Sequence, residues 1–98
     1  AARMFDVGVL YDSGAEFEAE LAEQLMFALR SVGLSVRANL PYSGTGPAIC
    51  TSLRNELAGQ RYAGIELEVS HAVTHSTYGC ARVASAVSPF LERLRDAY

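Results

Sequence analysis

The stretch that decides the fold is residues 5–33, which read FDVGVLYDSGAEFEAELAEQLMFALRSVG. Residues 5–11 are dense in apolar and β-favouring side chains, which predicts a buried strand. Ser13 and Glu16 then have the Ser-x-x-Glu spacing of a capping box at the start of a helix. Gly33 stands where a left-handed helix C-cap is expected. The helix between them carries one apolar stripe, typical of a helix packed on a sheet: Phe17, Leu21, Leu25, Leu29 and Val32.

Two more strands follow along the chain. Residues 34–40 alternate between apolar and polar side chains and predict the second strand, which Pro41 ends. Residues 63–73 predict a third strand. Its alternation places Glu66 and Glu68 on the face opposite the apolar side chains.

Two more helices are predicted between and after these strands. Pro47 is expected as the first residue of the second helix, because its missing N–H is not needed there. The last helix covers residues 78–98, where Pro89 either kinks the helix or begins another one. The order β-α-β-α-β-α predicts one three-layer α/β unit over residues 1–98 with a mainly parallel or mixed sheet. Three strands are few for an independent sheet, so we expect a piece of a larger one.

Composition argues against several classes of protein. The net charge is −3, and all eight basic residues are arginines scattered along the chain. The sequence therefore has no basic patch of the kind that nucleic-acid-binding proteins carry, which argues against that class. No apolar run approaches the roughly 18 residues of a membrane span. We see no signal-peptide pattern at the N-terminus. Two cysteines, Cys50 and Cys80, are too few for a disulfide scaffold and are expected to be small buried side chains in the cytoplasm.

Candidate chemistry follows the predicted strand ends, where open α/β sheets bind ligands. Residues 39–46 are predicted to form a Gly-rich loop before a helix, which suits either a tight turn or an anion or substrate site. Glu68 is a candidate general base, with an ordinary solvated carboxylate as the alternative for both Glu66 and Glu68. His71 and His75 would suit a metal only if both lay on one helix. Because His71 falls inside the predicted strand, we expect two loop histidines.

Three segments resemble the C-terminal half of N-formylglutamate amidohydrolases. The first is residues 7–12 followed by the long helix, and the second is residues 34–44, which contain Asn-x-Pro-Tyr-Ser-Gly. The third is Ser52-Leu53-Arg54 followed by residues 65–69, similar to the Thr-Leu-Arg helix and the Ile-Glu-Ile-Arg strand of that family. The resemblance covers about two thirds of the chain, and the Asn-x-Pro-Tyr-Ser-Gly element is its most specific part.

The resemblance implies a zinc-carboxypeptidase-like fold and hydrolysis of a linear amide. By position, Glu68 matches the general base that activates zinc-bound water, and Asn39, Tyr42 and Ser43 match the loop that lines the substrate pocket. The zinc ligands of such enzymes lie in the N-terminal half, so this chain contributes no metal ligand, and its 98 residues alone would be inactive.

The expected substrate is a small N-acyl amino acid or similar amide, in a bacterial, cytoplasmic protein. Ser70 and Glu56 stand where the family commonly has Arg and His, which argues for a substrate other than N-formylglutamate. A missing N-terminal segment or an oligomer partner is expected to cover the sheet edge. The alternative is a non-catalytic α/β module that binds a small anionic ligand or a partner protein.

Overall fold

The computed structural model describes residues 5–98, so residues 1–4 of the expected unit lie outside the described part. The fold is a mixed α/β fold. Within residues 5–98 it has three strands and four helices, in the order β1 (Val7–Leu10), α1 (Glu16–Ser31), β2 (Val36–Ala38), α2 (Ile49–Glu56), β3 (Glu66–Val69), α3 (His71–Thr74) and α4 (Thr77–Ala97).

The sheet is mixed, with strand order β2-β1-β3. The central strand β1 runs parallel to β2 and antiparallel to β3. Gly8 on β1 lies opposite both Arg37 on β2 and Glu68 on β3. Because paired residues direct their side chains to the same face of a sheet, Arg37 and Glu68 share the face of Gly8. Val7 and Val9 point to the opposite face.

That opposite face forms the core with the two long helices. Helices α1 and α4 pack against each other. The apolar stripe predicted for the first helix is confirmed, since Leu21, Leu25 and Leu29 are buried while Phe17 and Val32 pack against them. The other buried apolar side chains of this cluster are Val7, Val9, Tyr11, Ala22, Met26, Leu34, Val36, Val73, Ala86 and Phe90. Helix α2 contributes no fully buried residue.

The predictions for the two ends of α1 had different outcomes. The C-cap is confirmed: Gly33 has φ +87° and donates to the Arg30 carbonyl, while Leu34 donates to the Leu29 carbonyl. These two backbone hydrogen bonds are the pair that defines a Schellman motif. The capping box was wrong, because the N-cap is Ala15 and no side chain caps the helix.

Three other boundaries also differ from the sequence predictions. The third strand stops at Val69, and residues 71–74 form the short helix α3 instead of its continuation. Helix α2 begins at Ile49, two residues after Pro47. Of the two alternatives for Pro89, the structure has one helix that continues through it, with Ser76 as N-cap accepting from Gly79 N–H. The three-layer arrangement and the larger sheet stay predictions.

Candidate functional site

The Asn39 loop (residues 39–46) is held by the side chain of its first residue. Asn39 has φ +55°, in the left-handed region that asparagine tolerates better than most residues. Its Oδ1 accepts the Tyr11 N–H at 2.9 Å and the Gly44 N–H at 3.2 Å. One amide oxygen therefore ties the end of β1 to the far side of the loop.

A buried ion pair lies beneath the same loop. Glu18 on α1 is fully buried, and its two carboxylate oxygens lie 3.2 and 2.8 Å from Nε and Nη2 of Arg54 on α2. Glu18 also accepts the N–H of Asp12 at 2.6 Å and that of Gly64 at 2.7 Å. Four donors thus satisfy the carboxylate, which a buried charge requires.

Arg54 connects this pair to the loop and to the segment before β3. Its guanidinium donates to the Gly44 carbonyl at 3.4 Å and to the Gly64 carbonyl at 3.3 Å. Asp12 Oδ2 lies 3.9 Å from Arg54 Nε. The hydrogen bonds and charge of Glu18 raise the pKa of Arg54, although partial burial opposes this. The guanidinium is therefore always charged, and its hydrogen bonds connect α1, the loop and the segment before β3.

Two glycines let the loop approach the sheet. A Cβ at Gly8 would overlap the carbonyl oxygen of Leu40, and a Cβ at Gly44 would overlap the backbone of Tyr11. The peptide bond between Leu40 and Pro41 is cis. Because a side chain at Gly8 would point to the Glu68 face, the Leu40 carbonyl lies on that face as well.

Glu68 therefore stands beside the Asn39 loop. It is half-buried on β3 and pairs with Gly8. The carbonyl of Leu40 lies directly over Gly8. Its neighbour along the same face, Glu66, pairs with Leu10. The structure thus brings the predicted base and the predicted loop to one face of the sheet.

Within the loop, the predicted residues differ in exposure. Asn39 is half-buried and serves the fold, whereas Tyr42 is 61% exposed and Ser43 is also exposed. Ser43 Oγ lies 2.9 Å from Thr45 Oγ1 and accepts the Thr45 N–H at 3.2 Å. Two loop N–H groups, those of Gly44 and Thr45, are therefore taken by side chains of the loop itself, which favours a tight turn over an anion site.

The two cysteines are not in a disulfide and differ in exposure. Cys50 is half-buried beside Tyr62, whose hydroxyl donates to the Cys50 carbonyl at 3.2 Å. Burial raises the pKa of the Cys50 thiol, and the nearby charge of Glu66 raises it further. Burial likewise raises the pKa of Tyr62. Both cysteines are free. Cys80 is exposed and Cys50 is only half-buried, so the expectation of two buried side chains was wrong.

Within residues 5–98, no three side chains of His, Cys, Asp or Glu form a group that could hold a metal ion. The donor set of the described residues therefore does not fit a catalytic zinc, which needs three protein ligands and an open position.

No helix of the described residues has the length and apolar character needed to cross a membrane.

Comparisons with known proteins gave no match to any protein-family model, curated protein or solved structure. The assignment to N-formylglutamate amidohydrolases therefore stays a prediction from the sequence resemblance.

Sequence reasoning missed the buried Glu18, although a signal was present. Leu21, Ala22 and Leu25 follow Glu18 by three, four and seven residues, which places the carboxylate in the middle of the apolar stripe. A charge at such a position needs a buried partner. The partner, Arg54, lies in the Ser52-Leu53-Arg54 segment that carries part of the family resemblance.

Proposed function

We propose that this chain is the C-terminal portion of a zinc-dependent amidohydrolase related to N-formylglutamate amidohydrolase. It would hydrolyse the linear amide of a small N-acyl amino acid in the cytoplasm. The observation that carries the proposal is the position of Glu68 beside the Asn39 loop, on the face of Gly8. The resemblance assigns these two elements to catalysis and to the substrate pocket.

The support beneath the loop suits such a role. The side chains of Asn39 and Arg54 fix the loop through partly buried hydrogen bonds to its backbone. Tyr42 and Ser43 take no part in these bonds and are exposed to solvent. Fixing a substrate-contacting loop before binding lowers the entropy lost on binding. A loop built for this purpose would keep its shape when no substrate is present.

In the proposed reaction, Glu68 acts as a general base. Its carboxylate accepts a proton from water as the water oxygen bonds to the amide carbon. The proton then passes to the amide nitrogen as the C–N bond breaks, which gives a carboxylic acid and an amine. Zinc, when bound, would polarise the water and the carbonyl. Its ligands would come from residues outside the described part, because residues 5–98 hold no suitable group.

The test compares two carboxylates on one strand. Glu66 and Glu68 lie on the same face of β3, two residues apart. In the protein as cells produce it, supplied with zinc, we expect Glu68→Gln to lower kcat for N-acyl amino acid hydrolysis by about 100-fold or more. Glu66→Gln is the matched control and should leave kcat within a few-fold. Equal loss in both variants, or hydrolysis that survives Glu68→Gln, would refute the assignment.

A second function is favoured by a different observation. Three large apolar side chains on the Asn39 loop and at the start of α2 are exposed: Leu40, Tyr42 and Ile49. Exposed apolar side chains that form one contiguous patch are typical of a protein-binding surface, and these three lie within residues 40–49. A non-catalytic binding module would therefore bind a partner or a small ligand equally well with Gln at position 68, and would hydrolyse no amide.

A further inference from the structure

His71 and His75 lie on one turn of helix. Helix α3 begins at His71, and the His75 N–H donates to the His71 carbonyl at 2.9 Å. The sequence had placed His71 inside a strand, which would have pointed the two rings in unrelated directions. In the structure the ring centroids are 5.5 Å apart, with an angle of 73° between the ring planes.

This separation fits two imidazoles on one metal ion. With metal–nitrogen distances of about 2.0–2.1 Å, the centres of two imidazoles bound to one ion lie about 4.5–5.5 Å apart. The observed centroid distance of 5.5 Å lies at the upper end of that range. Both histidines are exposed, so their ring nitrogens are accessible to a hydrated ion.

The corner that carries the pair is firmly packed. Val73, between the two histidines, is buried in the core. A Cβ at Gly79 would overlap the Val73 carbonyl, so α3 approaches α4 closely there. The Thr74 hydroxyl bonds the carbonyls of Ser70 and His71, both at 3.3 Å. A rigid corner lowers the entropic cost of bringing two ligands to one ion.

We propose that His71 and His75 chelate one divalent ion of a late first-row transition metal, the ions that imidazole prefers: Cu²⁺, Ni²⁺ or Zn²⁺. Water completes the coordination shell. This proposal does not rest on the proposed hydrolase function. The exposed Cys80 donates its thiol to the Thr74 carbonyl at 3.4 Å and is not assigned as a ligand.

The test is isothermal titration calorimetry, in which Ni²⁺ alone is added to the chain. The chain contains two histidines, so every imidazole-dependent site must use one or both of them. We expect one Ni²⁺ per chain. His71→Gln and His75→Gln should each weaken binding at least about tenfold, since loss of even an outer-shell partner costs a metal site 10–100-fold. Cys80→Ser and Cys50→Ser are the controls and should bind as the unchanged chain does.

Three results would overturn the proposal. They are an unchanged chain that binds no Ni²⁺, single histidine variants that keep the full affinity, and binding that is lost in Cys80→Ser. The far-UV circular dichroism of each variant checks that the fold is kept. Because both imidazoles are exposed, neither substitution should disturb the core.

Discussion

Arg54 on α2 and Glu18 on α1 form a two-point ion pair across 36 residues of sequence, with Nε–Oε1 and Nη2–Oε2 distances of 3.2 and 2.8 Å. The same guanidinium donates to the carbonyls of Gly44 and Gly64. One side chain therefore joins α1, the Asn39 loop and the segment before β3.

The first prediction concerns this pair. Arg54→Met leaves the fully buried Glu18 carboxylate without its cation, so we expect a loss of about 3–5 kcal/mol in the free energy of unfolding. The measurement is urea denaturation. The matched control is Arg95→Met, since the Arg95–Asp96 pair is exposed on both sides and should contribute about 1 kcal/mol or less.

A double variant sharpens this prediction. Glu18→Met combined with Arg54→Met removes both charges, so no unpaired carboxylate remains in the core. We expect the double variant to be more stable than the sum of the two single losses implies, because the pair is coupled. Additive losses would mean that the ion pair does not hold the two helices together.

Asn39 is predicted to stabilise the loop through its side-chain oxygen and its tolerance of a left-handed backbone. Asn39→Ala leaves the N–H groups of Tyr11 and Gly44 without their acceptor and places alanine at φ +55°. We expect a loss of about 2–4 kcal/mol. Asn39→Asp keeps an acceptor and is the control, with a smaller loss in the same urea denaturation assay. Equal losses would show that the acceptor contributes nothing.

Close approach of the Asn39 loop to the sheet gives the third prediction. Gly8→Ala would push the Leu40 carbonyl from the sheet face, and we expect a loss of about 1–3 kcal/mol or more. Gly46→Ala is the control, since its Cβ would lie 3.7 Å from the Ser43 carbonyl oxygen, an ordinary contact. Amide hydrogen exchange should rise in residues 39–46 for Gly8→Ala and stay unchanged for Gly46→Ala. Unchanged exchange in both would mean that the loop does not depend on Gly8.

Thiol reactivity gives the fourth prediction. Burial and the charge of Glu66 raise the pKa of Cys50, so less of it is thiolate at neutral pH. We expect iodoacetamide to modify the exposed Cys80 before Cys50, as read by peptide mass spectrometry. Because the Cys50 thiol holds its proton more tightly in the folded chain, its contribution to the free energy of unfolding is fully present below the ordinary thiol pKa. That contribution is lost as the pH rises through the folded value. Faster modification of Cys50 would contradict this account.

Much of the fold could be predicted because its signals are local. The apolar stripe of α1 and the glycine at its C-cap each depend on spacing within a few residues, and both are present in the structure. The capping box failed for a tertiary reason. Glu18 takes the Asp12 N–H, and Asp12 Oδ1 takes the Gly14 N–H at 2.9 Å, so other side chains order the turn around Ser13.

The end of β3 was missed for a similar reason. The apolar run through Val73 reads as one strand, but Val73 is buried on α3, which packs against α4. Helix α3 is too short to show a helical period in the sequence. The position of Glu68 beside the loop depends on the pairing of β1 with β3 and on the approach of Leu40 to Gly8, and no local pattern reports either.

The measurement that tests the central claim most directly is the intact mass and zinc content of the protein as cells produce it. The proposal predicts a mass above that of these 98 residues. It also predicts about one zinc per chain, retained when His71 and His75 are both replaced by Gln. A mass that equals the 98 residues, without bound zinc in that variant, would contradict the amidohydrolase assignment and favour the binding module.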